Sequence, residues 1–281
     1  MNFNFPKLLI SLDFELHWGR FDKYALEDCQ PYYLNTIDTI PRLLELFQKY
    51  EIHVTWATVG SLLASNWEEW QEYAPKIPPR FKNQKYSAYH WIKKGNELPG
   101  LFAPDLVNLI FQTPGQEIGS HTFSHYYTGV KGADLESFRE DLKASVRISQ
   151  DKLGISPASL IFPRNQYNPE VIQVAKNLGF RCFRTNPDSW FWENTAHETL
   201  VKKVFRTGDT LFPLGKRTSY PYVQSGEIPA SRLLRPYRKG SIFNQTRIDR
   251  IKSELELACE QNETYHLWWH PHNFGHFPEE I

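Results

Sequence analysis

Short apolar runs rich in branched and aromatic residues alternate along this chain with stretches of helical periodicity, and that alternation restricts the fold more than any other feature. Parallel strands need a crossover, usually a helix, to bring the chain back to the same end of the sheet, so strand and helix in regular succession mark parallel βα units. Strands are expected over residues 7–13, 53–59, 117–120, 159–162, 181–184, 201–205 and 265–269. Between them, Leu43, Leu44 and Phe47 give one helix its apolar face, with a start near Thr39 because Pro41 suits a first turn. Leu135, Phe138, Leu142 and Val146 mark a second at spacings of three and four, 169–178 reads as a third ended by Gly179, and 248–259 as a fourth. Seven strands suit a ring better than an open sheet. The expected fold class is α/β: a distorted (β/α)7 TIM-like barrel with inserted loops at its mouth.

Barrels of this kind use about 250 residues as one unit, so residues 1–281 are read as a single catalytic domain. Two segments interrupt the rhythm, 67–104 and 208–240, and long loops at the C-terminal face of a barrel are where specificity resides. The second carries Lys216, Arg217, Arg232, Arg235, Arg238 and Lys239 and is suited to greet a phosphate or carboxylate, although a solvated loop is the commoner meaning of such a run. Nine Trp, fourteen Tyr and nineteen Phe include many in polar surroundings, as in Trp67-Glu68-Glu69-Trp70, where aromatic faces either stack on sugar rings or pack loops onto a core.

Thirty-two basic and 32 acidic residues balance, so no bulk charge draws the chain to nucleic acid or anionic lipid. No stretch approaches the roughly 20 apolar residues that span a bilayer, and the first ten residues after Met1 hold no basic segment followed by a long apolar core, so a soluble, unexported protein is the expectation. Cys29, Cys182 and Cys259 are odd in number and far apart, as expected of reduced thiols in a cytoplasm. With eleven residues after His270, a final covering helix is expected to be missing or replaced by a partner.

The chemistry-bearing residues fall at the expected strand ends. His121 and His125 follow the third strand, and two imidazoles four apart on a helical turn converge on one ion. Asp13 and Glu15 end the first strand, where residues two apart share a face, so both enter the barrel mouth with Phe14 turned away. Two carboxylates so close raise one pKa unless a cation or hydrogen bonds intervene, and a divalent ion relieves that repulsion. His270 ends the last strand and is the candidate acid; His17, His266 and His272 read as loop or packing residues.

With those residues in place the chain resembles the polysaccharide deacetylase family, the NodB-homology group of carbohydrate esterases and amidohydrolases. Asp13-Phe14-Glu15 is similar to its opening Asp-Asp pair, His121-Thr122-Phe123-Ser124-His125 to its His-Ser/Thr-x-x-His, and Val54-Thr55-Trp56-Ala57-Thr58-Val59-Gly60 to its second-strand signature. Phe162-Pro163-Arg164-Asn165 stands at the Arg-x-x-Pro position with its Pro ahead of the Arg, Asp188-Ser189-Trp190 at the Asp-x-Trp-like position, and Leu267-Trp268-Trp269-His270 at the closing Leu-x-x-His. The resemblance implies hydrolysis of an N-acetyl or related acyl group from a sugar, with one divalent ion, often zinc. It implies Asp13 as general base, His121 and His125 as metal ligands, and His270 as the acid that protonates the departing amine. Arg164 is expected to orient Asp13, Asp188 to orient Arg164 or His270, and Trp190 and Arg235 to bind substrate. Phe14 cannot ligate, so the metal carboxylate is assigned to Glu15; the alternatives are Asp13 as ligand, or a metal-free site as in the allantoinase-like branch. Three functions are compatible with this: a metal-dependent sugar N-deacetylase acting on a precursor or short glycan of surface polysaccharide synthesis, a metal-independent amidohydrolase of a small cyclic amide, and an inactive carbohydrate-binding derivative. The oligomeric state is open.

Overall fold

The computed structural model describes residues 6–92, 98–221 and 225–280; residues 93–97 and 222–224, within the two inserts, lie outside that set. Eight parallel strands form one curled sheet: β1 (Lys7–Phe14), β2 (Val54–Thr58), β3 (Gln116–Ser120), β4 (Ser159–Ile161), β5 (Cys182–Thr185), β6 (Glu227–Pro229), β7 (Arg232–Leu233) and β8 (Thr264–Trp269). Their order is β6-β5-β4-β3-β2-β1-β8-β7. Ala230 and Ser231 alone separate β6 from β7, and they too pair with the flanking strands: the Ala230 amide donates to the Thr185 carbonyl and the Ser231 amide to the His266 carbonyl. Residues 227–233 therefore act as one bent strand with β5 on one side and β8 on the other, which is the α/β half-barrel of about seven βα units that the strand–helix rhythm suggests.

Around the sheet lie α1 (Gln30–Lys49), α2 (Trp67–Tyr73), α3 (Ala88–Trp91), α4 (Pro104–Gln112), α5 (Leu135–Leu153), α6 (Pro169–Asn177), α7 (Leu200–Gly208) and α8 (Phe243–Glu260). Asn66, Asp134, Asn168 and Thr199 cap α2, α5, α6 and α7 by accepting from the backbone amide three residues on. Helix α1 begins nine residues before the expected Thr39, with Pro31 in its first turn and Pro41 inside it. An internal proline costs about 3 kcal/mol, but burial of Tyr33, Ile40, Leu43, Leu44 and Phe47 along the same helix exceeds that.

The expected strand over 201–205 is instead part of α7. Val201, Val204 and Phe205 recur at the i, i+3, i+4 spacing of a helix behind the Thr199 cap, and the seventh strand comes from 227–233, inside the insert expected to be loop. The first insert also has structure of its own, in α2, α3 and a 3-10 turn over Gln84–Tyr86. Its tryptophans are packing residues: Trp70 stacks on Trp18 at 6.1 Å, Trp67 meets Trp70 edge-on, and Trp91 packs against His17 and Trp18. No helix among the described residues is long and apolar enough to cross a membrane.

Candidate active site

Asp13 leaves the C-terminal end of β1 facing inward, 4% exposed. Phe14 turns to the opposite side, edge-on to Trp56 at 5.9 Å in the core. Glu15, just past the strand, returns to the side of Asp13 and is buried as well. Two carboxylates inside a barrel need partners, and each has a different set.

Asp13 is held by Arg184 of β5 in a bidentate fork, Nη1 to Oδ1 at 2.6 Å and Nη2 to Oδ2 at 2.7 Å. Arg184 also donates to Ser11 Oγ and to Asn165 Oδ1, both at 3.0 Å, and lies over the Trp268 ring at 4.1 Å. Burial pushes the Asp13 carboxyl up, but Arg184, joined by His121 and His270, outweighs it and holds the group below its ordinary value. Arg164, the residue expected on Asp13, points elsewhere: its Nη2 donates to Asp22 at 2.5 Å and its guanidinium lies 4.0 Å from the Tyr127 ring centroid. The physical reason is its backbone, since Arg164 adopts a left-handed conformation (φ 56°) in the turn after β4, whereas Arg184 sits at an inward register of a strand.

Glu15 Oε2 lies 2.9 Å from His125 Nε2 and 3.4 Å from His121 Nε2. Burial raises this carboxyl too, and His270, His125 and His121 more than offset it, leaving Glu15 well below its ordinary value. His121 Nδ1 lies 2.8 Å from the Ile161 carbonyl, and as the donor there it leaves the Nε2 lone pair aimed at Glu15, buried and without a hydrogen-bond partner. Burial lowers His125 to about 4, so its imidazole is neutral and able to ligate. One ligand atom from each of Glu15, His121 and His125 falls within 4.8 Å of the others. A carboxylate oxygen and two imidazole nitrogens, one of them without a hydrogen-bond partner, fit a divalent ion such as zinc.

The two histidines do not lie on a helix. Residues 121–125 form a loop in which Thr122 (φ 65°) and His125 (φ 56°) are left-handed, and its shape is set by buried Asp141 of α5. The Asp141 carboxylate accepts from the Phe123 amide at 2.7 Å, the Ser124 amide at 3.3 Å, the Ser124 hydroxyl and the Tyr89 hydroxyl. The Tyr126 amide donates to Thr122 Oγ1 at 2.8 Å and the His121 amide to the Thr58 carbonyl at 2.9 Å, tying the loop to β2.

His270, at the end of β8, is a quarter exposed, with Nε2 3.8 Å from Asp13 and 3.7 Å from Glu15. His272 stacks on it, and burial drives His272 down to about 3. His17 is buried against Tyr33, its Nδ1 2.9 Å from the hydroxyl, and His266 bonds Ser11 beneath the site. Asp188, expected to orient Arg164 or His270, is exposed and faces Lys216 at 3.8 Å. Trp190 packs on Phe205 of α7 at 4.9 Å; Trp192, two residues on, lines the cleft in its place. The cleft is about 1120 Å³ and is also lined by Arg235, Trp268, Tyr32 and Tyr86.

Residues 27–183 match the sequence profile of the polysaccharide deacetylases, and the chain belongs to that family. No curated protein matches it significantly in sequence. Among solved structures it is similar to a Mycobacterium smegmatis protein assigned as a polysaccharide deacetylase, at 15% identity and a TM-score of 0.59 over 98% of this chain and 80% of that one. It is also similar to PuuE allantoinase, at 11% identity and a TM-score of 0.55 over 100% of this chain and 82% of that one. At such identities these likenesses speak for the fold.

Proposed function

We propose that the protein is a metal-dependent hydrolase that removes an N-acetyl or related acyl group from a sugar. The observation that carries this is the convergence of Glu15, His121 and His125 on one point beside Asp13 and His270, in a member of the polysaccharide deacetylase family. Glu15, His121 and His125 would hold the ion, which when bound would supply Lewis acidity to the acyl carbonyl and to water. Asp13 is the general base: Arg184 keeps it ionised and fixes its plane, and from the cleft wall it takes the proton of the attacking water. His270, the most exposed of these groups, delivers a proton to the departing amine. Trp268, Trp192 and the tyrosines of the cleft wall offer faces to the sugar. The substrate we infer is a short glycan or a sugar precursor, in keeping with a cleft of about 1120 Å³.

The test is the metal content of protein purified without added ions or chelator, for the native chain and His125→Ala in parallel, together with acetate release from N-acetylated chitooligosaccharides. About one divalent ion per native chain, lost in the variant, is the expected result. No ion in the native chain after incubation with zinc overturns the metal-dependent reading and transfers the assignment to a metal-free amidohydrolase.

A further inference from the structure

The chain is neutral, yet its active-site cleft is not: eight Lys and Arg side chains line it against three carboxylates. Two of those carboxylates, Asp13 and Glu15, belong to the reaction centre already described. One of these cations stands at the end of β7, where Arg235 follows Leu233 and Leu234 into the cleft that Trp268 and His270 also line. Arg206 and Lys203 of α7 line the same cleft, and Arg206 is near enough to repel Arg235.

Arg235 lacks the carboxylate partner that a buried arginine nearby has. Arg232, close by, is paired with both Asp209 and Glu254. Arg235 has no carboxylate within ion-pair distance among the described residues, and its Nε is buried without a hydrogen bond. Arg238 and Arg247 behind it lack a carboxylate in the same sense, and Arg247 Nε is also unpartnered. Arg206 is clamped on three sides: Nε to the Phe191 carbonyl at 2.6 Å, Nη1 to Glu198 at 2.5 Å, and its plane over Trp192 at 4.4 Å. Its Nη2 is left buried and unpaired. Burial, then Arg247, Arg238, Arg206 and Arg232, push Arg235 down to about 10, a cost that an anion in the cleft relieves.

We propose that Arg235 and Arg206, with Lys203, form an anion subsite that takes a phosphate ester carried by the acylated sugar. Several cationic donors around one site suit the three oxygens and double charge of a phosphate. Both arginines lie in the cleft that holds Asp13 and His270, so the phosphate and the acyl group belong to one molecule. The inference deepens the deacylase reading and rests on it for the acyl sugar, but the subsite is measured by binding alone.

The experiment is calorimetric titration of the intact protein with N-acetylglucosamine, N-acetylglucosamine 1-phosphate and inorganic phosphate, with glucuronate as a carboxylate competitor. The phosphorylated sugar is expected to bind at least about tenfold more tightly than the neutral one, the effect of one or two charge-assisted hydrogen bonds. That ratio falls toward one in Arg235→Gln and is reduced in Arg247→Gln, a position outside the cleft lining that tests the same field without touching the cleft wall. The ratio persists in His125→Ala, whose cation centre is disarmed. Equal affinity for the two sugars, a ratio untouched by both arginine substitutions, or a ratio that disappears in His125→Ala overturns the subsite. Glucuronate competing as well as phosphate overturns the assignment to phosphate. Retained phosphate binding with no acetate release from any sugar refutes the deacylase reading and leaves the subsite standing.

Discussion

Arg184→Met separates the buried base from its bidentate partner, and the geometry around the pair sets the size of the loss. Both side chains are nearly inaccessible, at 1% and 5%. The substitution removes two bonds to Asp13, at 2.6 and 2.7 Å, and two more, at 3.0 Å, to Ser11 and Asn165. Removing one partner of a buried pair costs about 3–5 kcal/mol, a large share of the roughly 5–15 kcal/mol that holds a domain together. The cost depends on pH with a definite sign. In the native protein the Asp13 pKa lies below 3.8, so its contribution is fully present above that value and is lost as pH falls through the lowered one. In the Met variant burial acts against weaker opposition, the pKa rises above 3.8, and the penalty is absent in acid and grows with pH. The difference between the two proteins therefore opens at the lowered native pKa, below 3.8, and widens up to the raised pKa of the variant, by up to about 1.4 kcal/mol per pH unit in between. Urea unfolding followed by tryptophan fluorescence across that range measures it. Arg184→Lys keeps the charge without the fork and is expected to lie between the two. A penalty under about 1 kcal/mol, or one that does not change with pH, refutes the view that Arg184 holds Asp13 ionised.

Three further outcomes are expected. A Cβ on Gly19 would lie 2.0 Å from Glu15 Cδ and Oε1, so Gly19→Ala displaces a flexible carboxylate rather than the fold; the variant is expected to unfold within about 1 kcal/mol of the native protein while losing most of its zinc affinity by competition with a chelator. Asp141→Ala leaves two backbone amides and two hydroxyls of the histidine loop without their acceptor, and is expected to cost about 2–4 kcal/mol in urea unfolding and about 10–100-fold in metal affinity. His266 is held neutral by burial, with its pKa lowered from 6.5 to about 3, so the unfolded chain gains a proton that the folded chain refuses. Its stability is full above 6.5 and declines as pH falls toward 3, by about 1.4 kcal/mol per unit; His266→Gln is expected to reduce the acid slope by that amount, and an unchanged slope counts against it.

What could be read from the sequence, and what could not, divides along the range of the interactions. Strand–helix alternation is a local pattern and it located six of the strands. It misread 201–205 because Val201, Val204 and Phe205 carry both branched side chains and a helical spacing, and the Thr199 cap settles the matter for helix. It missed 227–233 because a strand broken at Pro229 and carrying Glu227 and Arg232 has no apolar run to announce it. The site divides in the same way. Asp13, Glu15, His121, His125 and His270 were legible as polar residues at strand ends, since strand geometry alone sends them to the barrel mouth. Arg184 was not sought on Asp13, 171 residues away in sequence, although one signal was available: a charged residue at an inward position of a short apolar strand has to be paired there. Arg164 drew attention by its motif position, but a left-handed backbone at that turn sends its side chain to Asp22. Periodicity thus says which face a residue takes, whereas its partner on that face depends on where a distant strand ends. A buried charge is the case in which the need for a partner can be inferred before the partner is known, and by the same reasoning the unpaired Arg235 leads to a ligand outside the chain.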